Sequence, residues 1–170
     1  IVGSAYAGLD QHHWAVDSYR RAIDIKPNYA DSYNNLGNSQ KYLKDIDGAM
    51  HSYTQAININ PQLVDAHSNL SLLLIEKGDF EGALNNYQVA ANANPRYAHA
   101  RVEIGFIYQQ MGKFDLAIKN CDEALKLDPT LIRAYDTKGA VLNITGDWQG
   151  SLDCYQKVIT ITPNSSRAYN

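Results

Sequence analysis

Apolar positions recur along this chain in steps of 34 residues, and inside each step they are spaced as on helices. Over residues 30–43, Tyr33, Leu36, Gly37 and Gln40 fall at i, i+3, i+4 and i+7, on one face of a predicted helix. Lys44 and Asp45 mark a turn. A second helix then carries Ile46, Ala49, Met50, Tyr53, Ala56 and Ile57 on one stripe and ends before Asn60 and Pro61. Proline stops it, because it has no N–H to donate and its ring clashes with the preceding turn. The pattern repeats along the whole chain, punctuated by Pro27, Pro61, Pro95, Pro129 and Pro163, which are all the prolines present.

Small residues keep the same step. Gly3, Gly37, Ser71, Gly105 and Gly139 form one column. Ala15, Ala49, Ala83, Ala117 and Ser151 form a second, and Ala22, Ala56, Ala90, Ala124 and Val158 a third. Two antiparallel helices approach closely only where a bulky side chain is missing, so Gly37 with Ala49, and Gly105 with Ala117, are predicted crossing points. Tyr53, Phe80, Tyr87, Phe114, Trp148 and Tyr155 are predicted to fill the remaining gaps. Gly78, Gly112 and Gly146 stand at inner turns, where a helix C-terminus favours positive φ. Asp79 and Asp147 stand at predicted N-cap positions.

These slots resemble the tetratricopeptide repeat. Tyr33, Leu36-Gly37, Gln40, Ala49, Tyr53, Ala56 and Pro61 carry the likeness in the second unit. His67, Leu70-Ser71, Leu74, Ala83, Tyr87, Ala90 and Pro95 carry it in the third. Departures are His67 and Arg101 in the first slot, Cys121 in an aromatic slot, Lys138 in the Leu slot, and the first inner turn at residues 10–14. The resemblance spans the entire chain. It implies an all-α, right-handed α-solenoid of helix–turn–helix units, whose first helices line a concave groove. The expected units are 1–29 (partial), 30–63, 64–97, 98–131 and 132–165, with a sixth beginning at 166–170, in one solenoid. The function implied is a scaffold that docks an extended peptide or helix of a partner protein, with no catalysis of its own and no cofactor.

In such a solenoid the first helices show one stripe to the groove. That stripe is Asp31, Asn34, Asn35 and Asn38 in the second unit, then Asp65, Asn69, Leu72 and Ile75 in the third. The fourth unit supplies Val102, Glu103 and Phe106, and the fifth Arg133 and Thr137. Asn35 and Asn69 share a column, four residues after Asp31 and Asp65. This spacing, and Asp-Ala-His-Ser-Asn-Leu at 65–70, is similar to the repeat region of O-GlcNAc transferases, where amide ladders bind a substrate's main chain. A primary amide suits that task because it offers donors and an acceptor together. The column continues as Glu103 and Thr137, so the ladder has two rungs, and a ligand must also use the apolar middle. A solvated polar face, or contact between neighbouring first helices, explains the same stripe. A second relative within the family, the clamp for chaperone C-terminal carboxylates, needs basic residues where this chain has Asn34, His99 and Glu103.

Composition narrows the partners. Fifteen Lys and Arg against eighteen Asp and Glu give a net charge of −3 with no charged run, which excludes the basic stripe of a nucleic-acid binder. No apolar run approaches the ~20 residues that a membrane span needs. Cys121 and Cys154 lack metal or disulfide spacing and are expected as two buried free thiols. His12 and His13 are expected in a solvated turn; His13 with Asp17 makes only two metal ligands of the four usual for zinc. Of three Asn-x-Ser/Thr matches, Asn164 is the credible glycosylation acceptor.

Ile1 falls mid-helix in the repeat, and five periods of 34 fill the 170 residues. The chain reads as a piece of a longer array, with the compartment open and the cytoplasm the working expectation. A structural alternative is head-to-tail self-assembly through Val2 and Tyr6 at one end and Val158 and Ile159 at the other. Another is the substrate-docking arm of an O-GlcNAc-transferase-like enzyme.

Overall fold

The computed structural model describes residues 2–162, and among them it forms α-helices and no strand. The chain divides into two compact units, Ile1–Ala93 and Asn94–Asn170. The first holds α1 (Val2–Gly8), α2 (His12–Ile25), α3 (Ala30–Tyr42), α4 (Ile46–Ile59), α5 (Val64–Glu76) and α6 (Phe80–Ala93). The second holds α7 (Ala98–Gln110), α8 (Phe114–Leu127), α9 (Ile132–Thr145) and α10 (Trp148–Ile161). Within each unit every helix packs on the one that follows it. The fold is an all-α helical repeat of the solenoid class. Helices predicted at residues 30–43 and 46–59 end within one residue of α3 and α4.

Local chemistry sets the turns. Gly78, Gly112 and Gly146 adopt φ of 80°, 70° and 87°, as their positions require, while Asp10 and Lys44 take the same conformation without glycine's freedom. Asp79 and Asp147 accept from the N–H groups of Gly82 and Gly150, each at 2.9 Å, and so cap α6 and α10. Asp45, read from sequence only as turn, caps α4 in the same way at 3.0 Å. After α4 and α8, Asn60 and Asp128 accept from the N–H groups of Gln62 and Thr130, bridging the prolines that end those helices.

The glycine column makes room for rings. A Cβ on Gly37 would fall 2.6 Å from the Tyr53 ring, and one on Gly3 2.7 Å from Tyr19. The Gly37 slot is therefore filled by Tyr53, with Ala49 buried beside it, rather than by the approach of Ala49 alone. At Gly105 the predicted crossing is direct, with the Ala117 carbonyl 3.1 Å from the site of a Cβ and the Cys121 Sγ at 2.9 Å. Ser71, which replaces glycine, donates its hydroxyl to the His67 and Ala83 carbonyls at 2.8 and 3.2 Å. Burying rings such as Tyr53 contributes about 1.5–3 kcal/mol each. Two expectations fail at α10. Trp148 does not fill a gap but stands exposed, and Val158, expected uncovered, is buried on its own unit; Tyr155 packs against Gly139 as expected.

Candidate functional site

Much of the predicted groove stripe is used to join helices. Between α3 and α5, the Asn69 Nδ2 donates to the Asn34 Oδ1 at 3.0 Å, and Asn34 is buried. Asn34 is a junction residue, not a groove residue. Asn38 is exposed, but its Oδ1 accepts from the Tyr53 hydroxyl at 2.8 Å and so helps hold the ring over Gly37. Asp31 and Asp65 are exposed, while Asn35, Leu72 and Ile75 are half-buried.

The second unit makes the corresponding junction with charge. Glu103 on α7 is 2% exposed, and Arg133 on α9 grips it with Nε at 2.6 Å and Nη2 at 2.9 Å from the two carboxylate oxygens. A planar fork meeting a carboxylate in this way forms strong, directional bonds. The guanidinium also lies 4.9 Å from the centre of the Phe106 ring, and His99 Nε2 is 3.8 Å from Glu103. Val102 is sealed with Cys121, Ala124 and Ala134, and Thr137 is buried as well. Val102, Glu103 and Thr137 therefore belong to the interior. Where helices abut, the side chains between them leave solvent, and the sequence alone does not say how closely they abut. Phe106 and Arg133 keep part of their surface exposed.

An open site lies elsewhere in the first unit. A recess of about 520 Å³ opens between α1, α2 and α3. Val2 and Ser4 of α1 form one wall, Tyr19, Ala22 and Ile25 of α2 the floor, and Tyr29, Ser32 and Asn35 the other wall. Ile25 is 86% exposed and Tyr29 45%, whereas the corresponding Ile59 and Leu63 one repeat on pack with Ala30 and Tyr33 from the first turn of α3. Arg21 and Asp31 stand at the rim, both exposed and without an ion pair among the described residues. Asn35, column mate of Asn69, makes no hydrogen bond among the described residues. Ser4, in contrast, is occupied, accepting from the Tyr19 hydroxyl at 3.2 Å.

Of this recess, sequence reasoning named Asp31 and Asn35 as groove residues and Val2 only as an end-stacking residue, and it missed Tyr19, Arg21, Ile25 and Tyr29. It considered only first helices as ligand-bearing. A signal was present in Ile25, Ile59, Leu127 and Ile161, which place a large apolar residue at the last position of four second helices.

Reactive chemistry is muted. Burial pushes the Cys121 thiol up to about 12 and raises that of Cys154, so both stay protonated and poorly nucleophilic. Both thiols are free and buried, as expected. His12 departs from the expected solvated turn. Its ring stacks on Tyr42 with centroids 3.7 Å apart, and its side chain is 10% exposed beside Asp10. Among the described residues no group of three or more His, Cys, Asp or Glu is placed to hold a metal, and no helix is long and apolar enough to cross a membrane. Asn164 lies outside the described residues.

Two family models match this architecture. One, "Tetratricopeptide repeat", matches residues 30–63 and 98–131; the other, "TPR repeat", matches residues 3–44 and 72–112. Among solved structures, the crystal structure of MamA is similar at 20% identity and a TM-score of 0.88, covering 98% of each chain. YrrB, described as a TPR protein with an unusual peptide-binding site, is 20% identical with a TM-score of 0.83, over 98% of this chain and 86% of its own. A tetratricopeptide repeat protein from Parabacteroides merdae ATCC 43184 is 22% identical with a TM-score of 0.87, over 98% of this chain and 66% of its own. At these identities the likeness is one of fold. No curated protein matches the sequence at a significant level.

Proposed function

From the premise that this chain belongs to the tetratricopeptide repeat family, whose fold is that of protein-interaction scaffolds, we propose that it is a non-enzymatic scaffold. An extended segment of a partner protein docks in the recess between α1 and α3. The observation that carries this reading is the uncommitted Asn35 amide on α3, half-buried and without a hydrogen bond among the described residues. An amide with free donors and acceptor pairs with a peptide unit whatever its side chain. Ile25, Ala22 and Val2 then take an apolar side chain, and Arg21 and Asp31 bias its neighbours by charge. The recess volume of about 520 Å³ is within the range of about 300–1,000 Å³ usual for ligand sites. YrrB, a protein of this fold whose description includes peptide binding, is compatible with the proposal.

Selection from a random peptide library displayed on phage tests it. The chain enriches a set of peptides whose binding falls in Ile25→Asp and Asn35→Ala and persists in Phe106→Ala. Enriched peptides that bind Ile25→Asp and Asn35→Ala as well as the parent would refute the recess as the docking site. Head-to-tail self-assembly loses one of its four proposed contacts, because Val158 is buried. The reading as an O-GlcNAc-transferase arm leans on an Asn35–Asn69 ladder, and one donor of Asn69 is already engaged by Asn34.

A further inference from the structure

His67 stands in the first turn of α5, in the column of Tyr33, Arg101 and Tyr135, and is 5% exposed. Its two ring nitrogens each meet an oxygen. Nδ1 lies 2.8 Å from the Asn86 Oδ1 on α6, and Nε2 lies 3.0 Å from the Pro61 carbonyl in the turn after α4. Both are hydrogen-bond distances. A neutral imidazole has one N–H and one bare lone pair, so it can donate to only one of these oxygens.

Neither oxygen can be exchanged for a donor. A peptide carbonyl only accepts, and the Asn86 amide is fixed by its other half, since Nδ2 donates to the Gly82 carbonyl at 2.9 Å. Turning the amide over would set its oxygen against that carbonyl. The same orientation recurs one repeat on, where the Asn120 Nδ2 donates to the Leu116 carbonyl at 2.8 Å. The second acceptor has a counterpart too. Two repeats on, the Tyr135 hydroxyl, in the His67 column, donates to the carbonyl of Pro129, the column mate of Pro61, at 3.3 Å. Among the described residues the charged groups of the neighbouring helices stand elsewhere. On α6 the one charged residue, Glu81, is exposed and five positions from Asn86, about 140° around the helix. On α5, Asp65 and Glu76 are exposed on the face opposite His67, and Lys77 pairs with Asp47 of α4 at the far end. His51 of α4 is exposed, while the buried Tyr53 of α4 and Tyr87 of α6 carry hydroxyls and not charges. α3 meets α5 on the Asn69 side, with Asp31 exposed and Lys41 in its last turn.

We propose that His67 is a proton-binding switch, held in the folded chain as an imidazolium with one N–H donated to Asn86 and the other to Pro61. Burying the charge costs desolvation, which two charge-assisted bonds offset. The neutral ring would keep one bond and set a buried lone pair against an oxygen. The proton thus straps α5 to the turn after α4 and to α6 at once. Asn69, on the same helix, bonds to Asn34 of α3, so the seat of α5 bears on that junction as well. A proton held more firmly by the folded chain than by the unfolded one contributes fully in acid, below the range where the unfolded imidazole titrates. That contribution is lost as pH rises through the range where the folded one does. The packing of α4, α5 and α6 therefore tightens on acidification and loosens in alkali.

The test is a titration of the full chain from about pH 5 to about pH 9, a span that brackets an ordinary imidazole, with the five histidine rings followed by NMR. His67 is identified by the signals missing from His67→Tyr, a variant that takes the residue found in this column at Tyr33 and Tyr135. The expected result is two protected ring N–H protons on His67, still present where the exposed His13, His51 and His99 have lost their charge. In Asn86→Ala, with one acceptor gone, His67 should lose its proton at a lower pH than in the parent. Urea unfolding gives a second readout. From about pH 6 to about pH 8.5 the folding equilibrium constant of the parent should fall about tenfold or more relative to that of His67→Tyr. The other four histidines are common to both chains and cancel. A single ring N–H, loss of the His67 proton together with or before that of His51, or parallel pH dependence in parent and His67→Tyr overturns the proposal. So does a His67 that titrates in Asn86→Ala as it does in the parent.

Discussion

The α3–α5 and α7–α9 junctions put different chemistry in one register. Asn69 and Glu103 stand one repeat apart in the same column, yet Asn69 meets another amide and Glu103 meets a guanidinium. The first junction is neutral and half-open. The second buries a full charge. A repeated backbone therefore fixes where side chains meet but not what a lost contact costs. A missing amide partner is replaced in part by water, whereas a carboxylate that is 2% exposed has no such recourse.

The largest effect is expected from Arg133→Ala. Breaking one side of a buried pair costs about 3–5 kcal/mol, and because Arg133 is itself 52% exposed the lower end applies. Urea denaturation followed by circular dichroism should show that loss. A cost below about 1 kcal/mol, the range of surface pairs, would remove the distinction between the junctions. The double variant Glu103→Gln/Arg133→Gln imports the neutral chemistry of the first unit. It should be more stable than Arg133→Ala alone, since no buried charge is left behind. If the double variant is the weaker, shape and not charge governs the junction.

Asn34→Ala comes next, at about 1 kcal/mol, because the orphaned Asn69 amide is half-buried and can turn to water. Its unfolding midpoint should move clearly less than that of Arg133→Ala. A larger shift would mean that the amide junction is the tighter of the two.

Fold and site were unequally legible. Prolines, glycines and the Tyr53 column fixed the helices, because period and turn chemistry are local properties and survive without knowledge of neighbours. Asp79 and Asp147 were readable as caps for the same reason. The site was not, since exposure depends on how closely non-adjacent helices approach. Asn34, Val102, Glu103 and Thr137 share the spacing of groove residues and are buried by contacts between helices. His12 looks like a turn residue until Tyr42 is found on its ring. Ile25 and Tyr29 do recur in step, as Ile59, Leu127 and Ile161 and as Leu63, Tyr97 and Leu131, but an apolar column reads as core and the sequence does not say how much of each member stays exposed.

The smallest effect belongs to Lys77 and Asp47, which join α5 to α4 at 2.7 Å, about as short as the Arg133–Glu103 contact. Length alone would rank the two pairs together. The Lys77 side chain is 48% exposed and that of Asp47 91%, so water and salt screen their attraction. The hydrogen bond and charge of Lys77 hold the Asp47 carboxyl below its ordinary value. A carboxyl depressed in the folded state contributes only above its unfolded pKa and loses that contribution as pH falls through the folded one. Lys77→Ala should lower the unfolding midpoint only slightly at neutral pH, and that difference from the parent should vanish in molar salt or acid. A midpoint shift as large as that of Asn34→Ala, persisting in molar salt, would show that exposure does not set the worth of a polar contact between these repeats.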